Sequence, residues 1–170
     1  MPQPFLSENP GLEDCWRAII LIGQNSASFK FALAKSLLEL RPESGQVLTL
    51  DELAKPYSRN IAEHLKKVDK QGTARSSKFL DACRGFNSGE VSETQLIEQT
   101  VRLGFNNVID AFHVVGGSPI VKPFFVDERK TRGGIKITDE FSILAATSQF
   151  GSLTPEAEAR WRLVEPACSI

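Results

Sequence analysis

The chain has 170 residues, which fits one domain, and a domain of this size buries enough surface to fold without a disulfide or a metal. Apolar residues make up 41% and charged residues 24%, as in ordinary globular proteins. The net charge of −1 excludes attraction to nucleic acid by global charge, so any nucleic-acid surface must be a local patch.

The sequence carries no recognisable export or membrane signal. The first residues, "MPQPFLSENPGLED", lack the basic and apolar regions of a signal peptide. The apolar run from Ala18 to Ile22 is far shorter than the roughly 20 residues that span a bilayer. Cys15, Cys83 and Cys168 are an odd, widely spaced set, which is typical of a reducing compartment. We therefore expect a cytoplasmic protein with no membrane partner.

The first predicted elements lie in residues 15–40. A buried strand leading to a phosphate-binding helix would need a glycine-rich turn, but "GQNSAS" has only Gly23 and no Walker-type Lys-Ser or Lys-Thr pair follows. Apolar residues spaced by three and four instead predict helices over about 11–23 and 26–40, with Asn25 or Ser26 capping the second.

Thr49 with Glu52 forms a predicted capping box, so a helix is expected over about 50–70. Pro56 lies inside this stretch and should kink or divide the helix because it lacks a backbone N–H. Another helix is predicted over about 76–86.

Ser92 with Gln95 repeats the capping box and predicts a helix to Leu103, which Gly104 closes in a left-handed conformation. The following "FNNVIDAFHVV" is ambiguous between a short helix and a strand, and "GGSP" ends it.

The chain then changes to short segments rich in β-forming residues. Two of them flank "RKTRGG", in which Gly133 and Gly134 permit a positive φ, and they predict a β-hairpin over about 121–138. Thr138 is expected to cap a helix over 139–147. The last helix should begin at Thr154 and Pro155, and it carries Trp161, Leu163 and Val164.

These elements predict a mainly α fold of six to eight helices with one β-hairpin, in an arrangement that resembles a winged helix. The chain is expected to form a single helical accessory domain over residues 1–170, with 1–10 and 166–170 flexible.

No complete catalytic motif is present, and no cofactor motif or metal-ligand set is recognised. His64 is interpreted as a half-buried helix residue, and His113 as a core histidine whose hydrogen bond is satisfied. Asp110 could pair with His113 if that segment is helical.

One weak constellation could bind a metal. Glu128 and Lys130 form an E-x-K pattern downstream of Asp110, as in nucleases that hold Mg²⁺ with two carboxylates and a lysine. The simpler interpretation is a solvated hairpin tip, because E-x-K is common in charged sequences.

Two basic clusters are candidate DNA-binding surfaces, although charge runs are often simply solvated. The first cluster comprises Lys66, Lys67, Lys70, Arg75 and Lys78. The second surrounds the hairpin and comprises Arg129, Lys130, Arg132 and Lys136. A hairpin that follows a helical unit can contact phosphates or a groove like the wing of a winged helix.

A resemblance to a known family covers most of residues 12–165. It rests on ordered blocks that include "CWRAIILIGQNSASFKFALAKSLLEL", "SSKFLDACRGFNSGE", "LGFNNVIDAFHVVGG", "GGIKITDEFSIL" and "EARWRLVE". These blocks resemble the N-terminal region of bacterial HNH endonucleases of the restriction or phage-defence kind. In that family an HNH module would follow the "RWRLVE" helix, whereas this chain ends at "EPACSI" and resembles a truncated product or a separate subunit.

The resemblance implies a DNA-associated accessory or target-recognition domain, non-catalytic in this form, with double-stranded DNA as the expected partner. Its expected contacts are Arg129, Lys130, Arg132 and Lys136, then Lys66, Lys67 and Lys70. The alternatives are a scaffold domain that binds a nuclease or ATPase partner through an apolar face including Trp161, and the metal nuclease above.

Overall fold

The computed structural model describes residues 11–23, 28–69, 71 and 77–168, with the side chains of the last helix described up to Glu165. The helices in these ranges are α1 (Leu12–Leu21), α2 (Phe29–Leu40), α3 (Leu50–Leu65), α4 (Lys78–Asn87), α5 (Glu93–Gln99), α6 (Val108–Ala111), α7 (Arg129–Arg132), α8 (Asp139–Ala145) and α9 (Phe150–Cys168). The strands are β1 (Val47–Thr49), β2 (Val114–Val115), β3 (Ser118–Pro119), β4 (Phe125–Glu128) and β5 (Gly134–Ile137). The prediction of a mainly α fold is confirmed.

The N-terminal segment forms two helices, so the strand alternative is wrong. The apolar faces of α1 and α2 are buried, as the spacing of Trp16, Ile19, Leu33 and Leu37 predicts. Asn25 and Ser26, the predicted caps, lie outside the described residues.

Both predicted capping boxes are confirmed: Thr49 exchanges hydrogen bonds with Glu52, and Ser92 does so with Gln95. α3 nevertheless runs unbroken through Pro56, so the helix is not divided there, and it ends at Leu65 rather than near residue 70. The helix tolerates the missing N–H of Pro56 because its neighbours are buried: Ala54 precedes the proline and Tyr57 follows it. Tertiary packing therefore stabilises the helix through this point.

After α5 the chain continues into a π-helical turn, Thr100–Gly104. Gly104 does not adopt the predicted left-handed conformation. Glycine is needed there for close packing, since an added Cβ would lie 3.1 Å from the Phe79 ring. The hydroxyl of buried Tyr57 donates to the carbonyl of Gly104 at 2.8 Å and ties this turn to α3.

The predicted hairpin exists as β4 and β5, but it belongs to a three-stranded antiparallel sheet in the order β1-β5-β4. A second, two-stranded hairpin joins β2 to β3, so the prediction of one hairpin is wrong. Short strand β1 was missed because three residues carry too little alternation to be recognised.

The two hairpin glycines have different roles. Gly133 adopts φ +72° and ends the short helix α7. The predicted positive φ is therefore confirmed at this glycine. Gly134 has no positive φ and lies directly against β1, where an added Cβ would overlap the carbonyl oxygen of Leu48.

The C-terminal elements begin at different residues from those predicted. Thr138 precedes α8, but its hydroxyl donates to the carbonyl of Pro123 instead of capping the helix. α9 begins at Phe150, four residues before Thr154, and its backbone remains helical to Cys168. Residues 1–10 and 169–170, predicted to be flexible, lie outside the described residues.

His113 is half-buried beside the core rather than fully within it, and its hydrogen bond is satisfied as predicted. Its Nε2 accepts a hydrogen bond from the backbone N–H of Phe124 at 3.0 Å, and its ring packs against Phe112 and Phe125. Burial lowers the pKa of His113 to about 4. Asp110 does not pair with it, because that carboxylate accepts a hydrogen bond from Arg129.

We expect His113 to make the protein acid-sensitive. The unfolded chain protonates this ring near pH 6.5 and the folded chain only near pH 4, so folding stability should fall as pH falls through that window. The loss should reach at most about 3 kcal/mol, since each pKa unit is worth about 1.4 kcal/mol. Urea titrations at several pH values measure it.

The control is His113→Gln, which keeps an acceptor for the Phe124 N–H but cannot be protonated in this range. Its stability should vary less than that of the wild type between pH 6.5 and pH 4. Equal pH dependence in the two proteins would contradict the assignment.

Candidate functional site

A polar cavity of about 410 Å³ lies where α2, α3 and α9 meet. Among the described residues that line it, Val68 is the one apolar residue. The others are Lys35, Asn60, Glu63, His64, Lys67, Glu158, Arg162 and Glu165. A concave site with converging charged groups is where ligand binding is usually found, so this cavity is the first candidate for function.

Helical spacing explains why these side chains meet. Asn60 and His64 lie four residues apart on the C-terminal half of α3, and Lys67 follows three residues later in the turn after the helix. Glu158 and Arg162 lie four residues apart on α9, with Glu165 three residues further on. Side chains at these spacings share one face of a helix. Each helix therefore presents a polar stripe to the other.

The floor of the cavity is a buried histidine held between two glutamates. His64 is only 8% exposed, contrary to the prediction of a half-buried residue. Its Nδ1 lies 2.7 Å from Oε2 of Glu165, and its Nε2 lies 2.8 Å from Oε1 of Glu158. This ring therefore links α3 to two glutamates that lie about two turns apart on α9.

Trp161 completes the floor. Its ring stacks on that of His64 with centroids 3.4 Å apart and planes inclined by 4°. Its indole N–H donates to Gln71 at 3.0 Å, while the amide of Gln71 donates to Glu165 at 2.7 Å. The expectation that Trp161 belongs to an uncovered apolar face is wrong, because its exposure is 0%.

Two neighbouring side chains contact the carboxylate of Glu158. Lys35 donates to it at 2.6 Å, and His64 contacts the same oxygen. Burial alone would raise the pKa of Glu158, but the hydrogen bonds from Lys35 and His64 outweigh it and lower the pKa to about 2. This carboxylate therefore stays ionised at all ordinary pH values.

Two exposed cations lie at the mouth of the cavity. Arg162 is 63% exposed and its Nε is 3.4 Å from Glu158. Lys67 is exposed beside it in the lining, and no acidic partner is found for it among the described residues. Its neighbour Lys66 is paired with Glu63 at 2.8 Å. Of the remaining residues in the first basic cluster, Lys78 is exposed, while Lys70 and Arg75 lie outside the described residues.

Arg129, the first predicted DNA contact on the hairpin, is occupied by protein groups. It donates to both oxygens of Asp127 at 2.8 Å, to Asp110 at 2.9 Å and to the carbonyl of Phe105 at 3.3 Å. These hydrogen bonds, above all those that Arg129 donates to Asp127, raise the pKa of Arg129 further above its usual range. The side chain is 23% exposed and pins the hairpin to α6.

The rest of the hairpin cluster is more accessible. Lys130 is exposed, and no carboxylate partner is found for it in the part of the chain that the structure describes. Arg132 is exposed but lies 3.6 Å from Glu128, and Lys136 is half-buried opposite Val47 and Val126 in the sheet.

The two basic clusters lie at opposite ends of α3. The backbone N–H of Leu50, at the start of α3, donates to the carbonyl of Gly133 in the hairpin at 3.1 Å. Lys66 and Lys67 follow the last residue of this 16-residue helix. At 1.5 Å per residue the separation along the helix is about 24 Å. The clusters therefore form two separate basic surfaces rather than one patch.

The proposed metal constellation is not assembled as a metal site. Asp110 is hydrogen-bonded to Arg129, and Glu128 faces Arg132. Among the described residues, no group of three or more His, Cys, Asp or Glu side chains could hold a metal ion.

Sequence reasoning found Lys67 but missed its partners Arg162, Asn60 and Lys35. The signal for Arg162 is the glutamate–arginine–glutamate stripe at helical spacing on α9, which surrounds the one tryptophan of that helix. The spacing of residues does not show which face of α3 this stripe on α9 meets. The answer depends on how α2 packs against the two helices.

The sequence matches no protein-family model, and no characterised protein or solved structure is significantly similar to it. Within the described ranges, no helix has the length and apolar character needed to cross a bilayer.

Proposed function

We propose that this chain is a non-catalytic domain that binds the phosphates of double-stranded DNA, as an accessory domain of an HNH endonuclease-like system. The observation that carries the proposal is that two exposed cations, Lys67 and Arg162, line the same α3–α9 cavity. The two cations come from distant parts of the sequence and line one concave surface. Phosphate contacts of this kind position a protein on DNA without reading its sequence.

Arg162 is free to exchange its partner at low cost. Glu158 is already in hydrogen-bond contact with Lys35 and His64, and Arg162 is the most distant of its three neighbours. An ion pair of such exposed groups contributes only about 0–1 kcal/mol. A phosphate oxygen can therefore replace Glu158 as the partner of Arg162 without disturbing the buried floor.

The hairpin supplies a second contact through Lys130 and Arg132. Arg129 instead holds the hairpin in place by its bonds to Asp127 and Asp110. The roughly 24 Å between hairpin and cavity mouth corresponds to about seven steps along one DNA strand, at 3.4 Å per step. One duplex of ordinary length could therefore contact both ends of α3.

The proposal predicts a modest, salt-dependent affinity for generic duplex DNA. Four phosphate contacts, by Lys67, Arg162, Lys130 and Arg132, should give a plot of log affinity against log salt with a slope near −4. The double variant Lys67→Gln/Arg162→Gln should flatten the slope by about 2. Fluorescence anisotropy of a labelled duplex over a salt series measures this.

The matched control removes the same charge elsewhere on α3. Lys55 and Arg59 are exposed cations outside the cavity lining, paired with Glu93 and Glu39. Lys55→Gln/Arg59→Gln should leave the slope nearly unchanged. Absence of binding at low salt, or an equal loss in both double variants, would refute DNA contact at the cavity mouth.

A further inference from the structure

A lysine is buried in the first turn of α2. Lys30 is 4% exposed, and its amine donates a hydrogen bond to the carbonyl of Gly23 at 2.8 Å. The Phe31 ring lies 5.3 Å from its Nζ, and no carboxylate pairs with it among the described residues. Lysine is almost never buried without a partner of opposite charge, so packing alone does not account for this position.

Three features of the surroundings favour the uncharged amine. Burial removes the water that would stabilise an ammonium group, the first turn of α2 is the positive end of the helix dipole, and Arg160 on α9 is a nearby cation. Burial, followed by the charge of Arg160, lowers the pKa of Lys30 to about 8. At pH 7.5 roughly a quarter of the folded molecules then carry a neutral amine here, against about one in a thousand for an ordinary lysine.

Arg160 reaches the same end of α1 as Lys30. Its Nη2 donates to the carbonyl of Leu21 at 3.3 Å, two residues before the carbonyl that Lys30 binds. Its Nε is buried and has no hydrogen-bond partner among the described residues. A buried N–H without an acceptor is costly, so a group that supplied an acceptor oxygen here would be stabilised. Two cationic side chains therefore meet at a place where one acceptor is missing.

We propose that Lys30 is a carbamylation site, at which the neutral amine adds carbon dioxide and the resulting carbamate accepts a hydrogen bond from Arg160. The lone pair of Nζ attacks the carbon of CO2, an N–C bond forms, and one C=O bond becomes a C–O⁻ group. The nitrogen releases one proton to water, and nothing is oxidised or reduced. Burial and a neighbouring cation are the conditions that make a lysine nucleophilic.

The buried position favours CO2 as the electrophile, because this molecule is small and uncharged. The carbamate keeps one N–H on Nζ, which can still donate to the carbonyl of Gly23. Its oxygens supply the acceptor that Nε of Arg160 lacks. The modification replaces a buried cation by an anion beside a guanidinium, so it joins α2 to α9 by an ion pair. It does not depend on DNA binding.

The test is carbon-13 NMR of the full chain with nitrogen-15 in its lysines. The protein is equilibrated at pH 7.5 with carbon-13 bicarbonate, which supplies labelled CO2. A carbamate carbon bonded to a labelled Nζ appears as a doublet. We expect one such doublet to dominate and to disappear in both Lys30→Arg, which keeps the charge, and Lys30→Met, which keeps the length of the side chain. A wild-type protein without the doublet, or a doublet that survives in both variants, would overturn the proposal.

Two matched comparisons locate the site. Lys35 lies on the same helix but forms an ion pair with Glu158 at 2.6 Å, so the doublet should persist in Lys35→Arg. Arg160→Gln should lower the carbamate formation constant about tenfold, the loss expected for one hydrogen bond to a charged group. Arg59→Gln removes the same charge from an exposed residue of α3 and should leave that constant unchanged. Equal constants in these two arginine variants would refute the role of Arg160 as the carbamate partner.

Discussion

Trp161→Ala is expected to lower the free energy of unfolding by about 4 kcal/mol, the usual cost of removing a fully buried large aromatic side chain. Trp161 is 0% exposed, and its ring stacks between those of His64 and Phe31. Its indole N–H also donates to Gln71, which would lose this partner. Urea unfolding followed by far-UV circular dichroism measures the change.

Leu163→Ala is the matched control, because Leu163 lies two residues further along α9 and is 71% exposed. Leu163→Ala should lower the free energy of unfolding by no more than about 0.5 kcal/mol, as for surface substitutions in general. If both variants lost similar amounts of stability, α9 would not be docked through its Trp161 face.

Gly134→Ala is expected to lower the free energy of unfolding by about 3 kcal/mol, at the upper end of the range for overpacked sites. Gly134 pairs with Thr49 on one side and Glu128 on the other, so it lies in the central strand of the sheet. The added methyl group would overlap the backbone carbonyl of Leu48, and a backbone atom cannot rotate away as a side chain can. Thermal unfolding by calorimetry would show a lower melting temperature.

Gly151→Ala provides the comparison. Gly151 is in the first turn of α9, and an added Cβ would have no atom within 4 Å. Alanine is favoured over glycine in a helix by up to about 1 kcal/mol, so this variant should be neutral or slightly more stable. A loss for Gly134→Ala no larger than that for Gly151→Ala would show that β1 does not pack against β5 as described.

The structure also changes which residues carry the DNA hypothesis. Arg129 stood first among the predicted contacts because of its place in a basic run. Its guanidinium instead bonds to Asp127 and Asp110, and one of these partners is distant in the sequence. Arg162 takes its place, in a segment where the sequence shows two arginines among three glutamates rather than a basic run.

The sequence by itself determined the local features. The two capping boxes at Thr49 and Ser92 form as their spacing requires, since both partners lie within one helical turn. The periodicity of α1 and α2 identified helices, and β-forming residues on both sides of Gly133 located the hairpin. Each of these depends on interactions between residues only a few positions apart.

Only the tertiary structure decided the features that depend on distant partners. The pairing of β1 with β5, the close approach at Gly104 and the position of His64 between two glutamates join segments many tens of residues apart. No local pattern encodes them, because they depend on which faces of distant segments meet; α2, for example, packs against both α3 and α9. The candidate site belongs to this second class, which is why composition and spacing located Lys67 but not the cavity beside it.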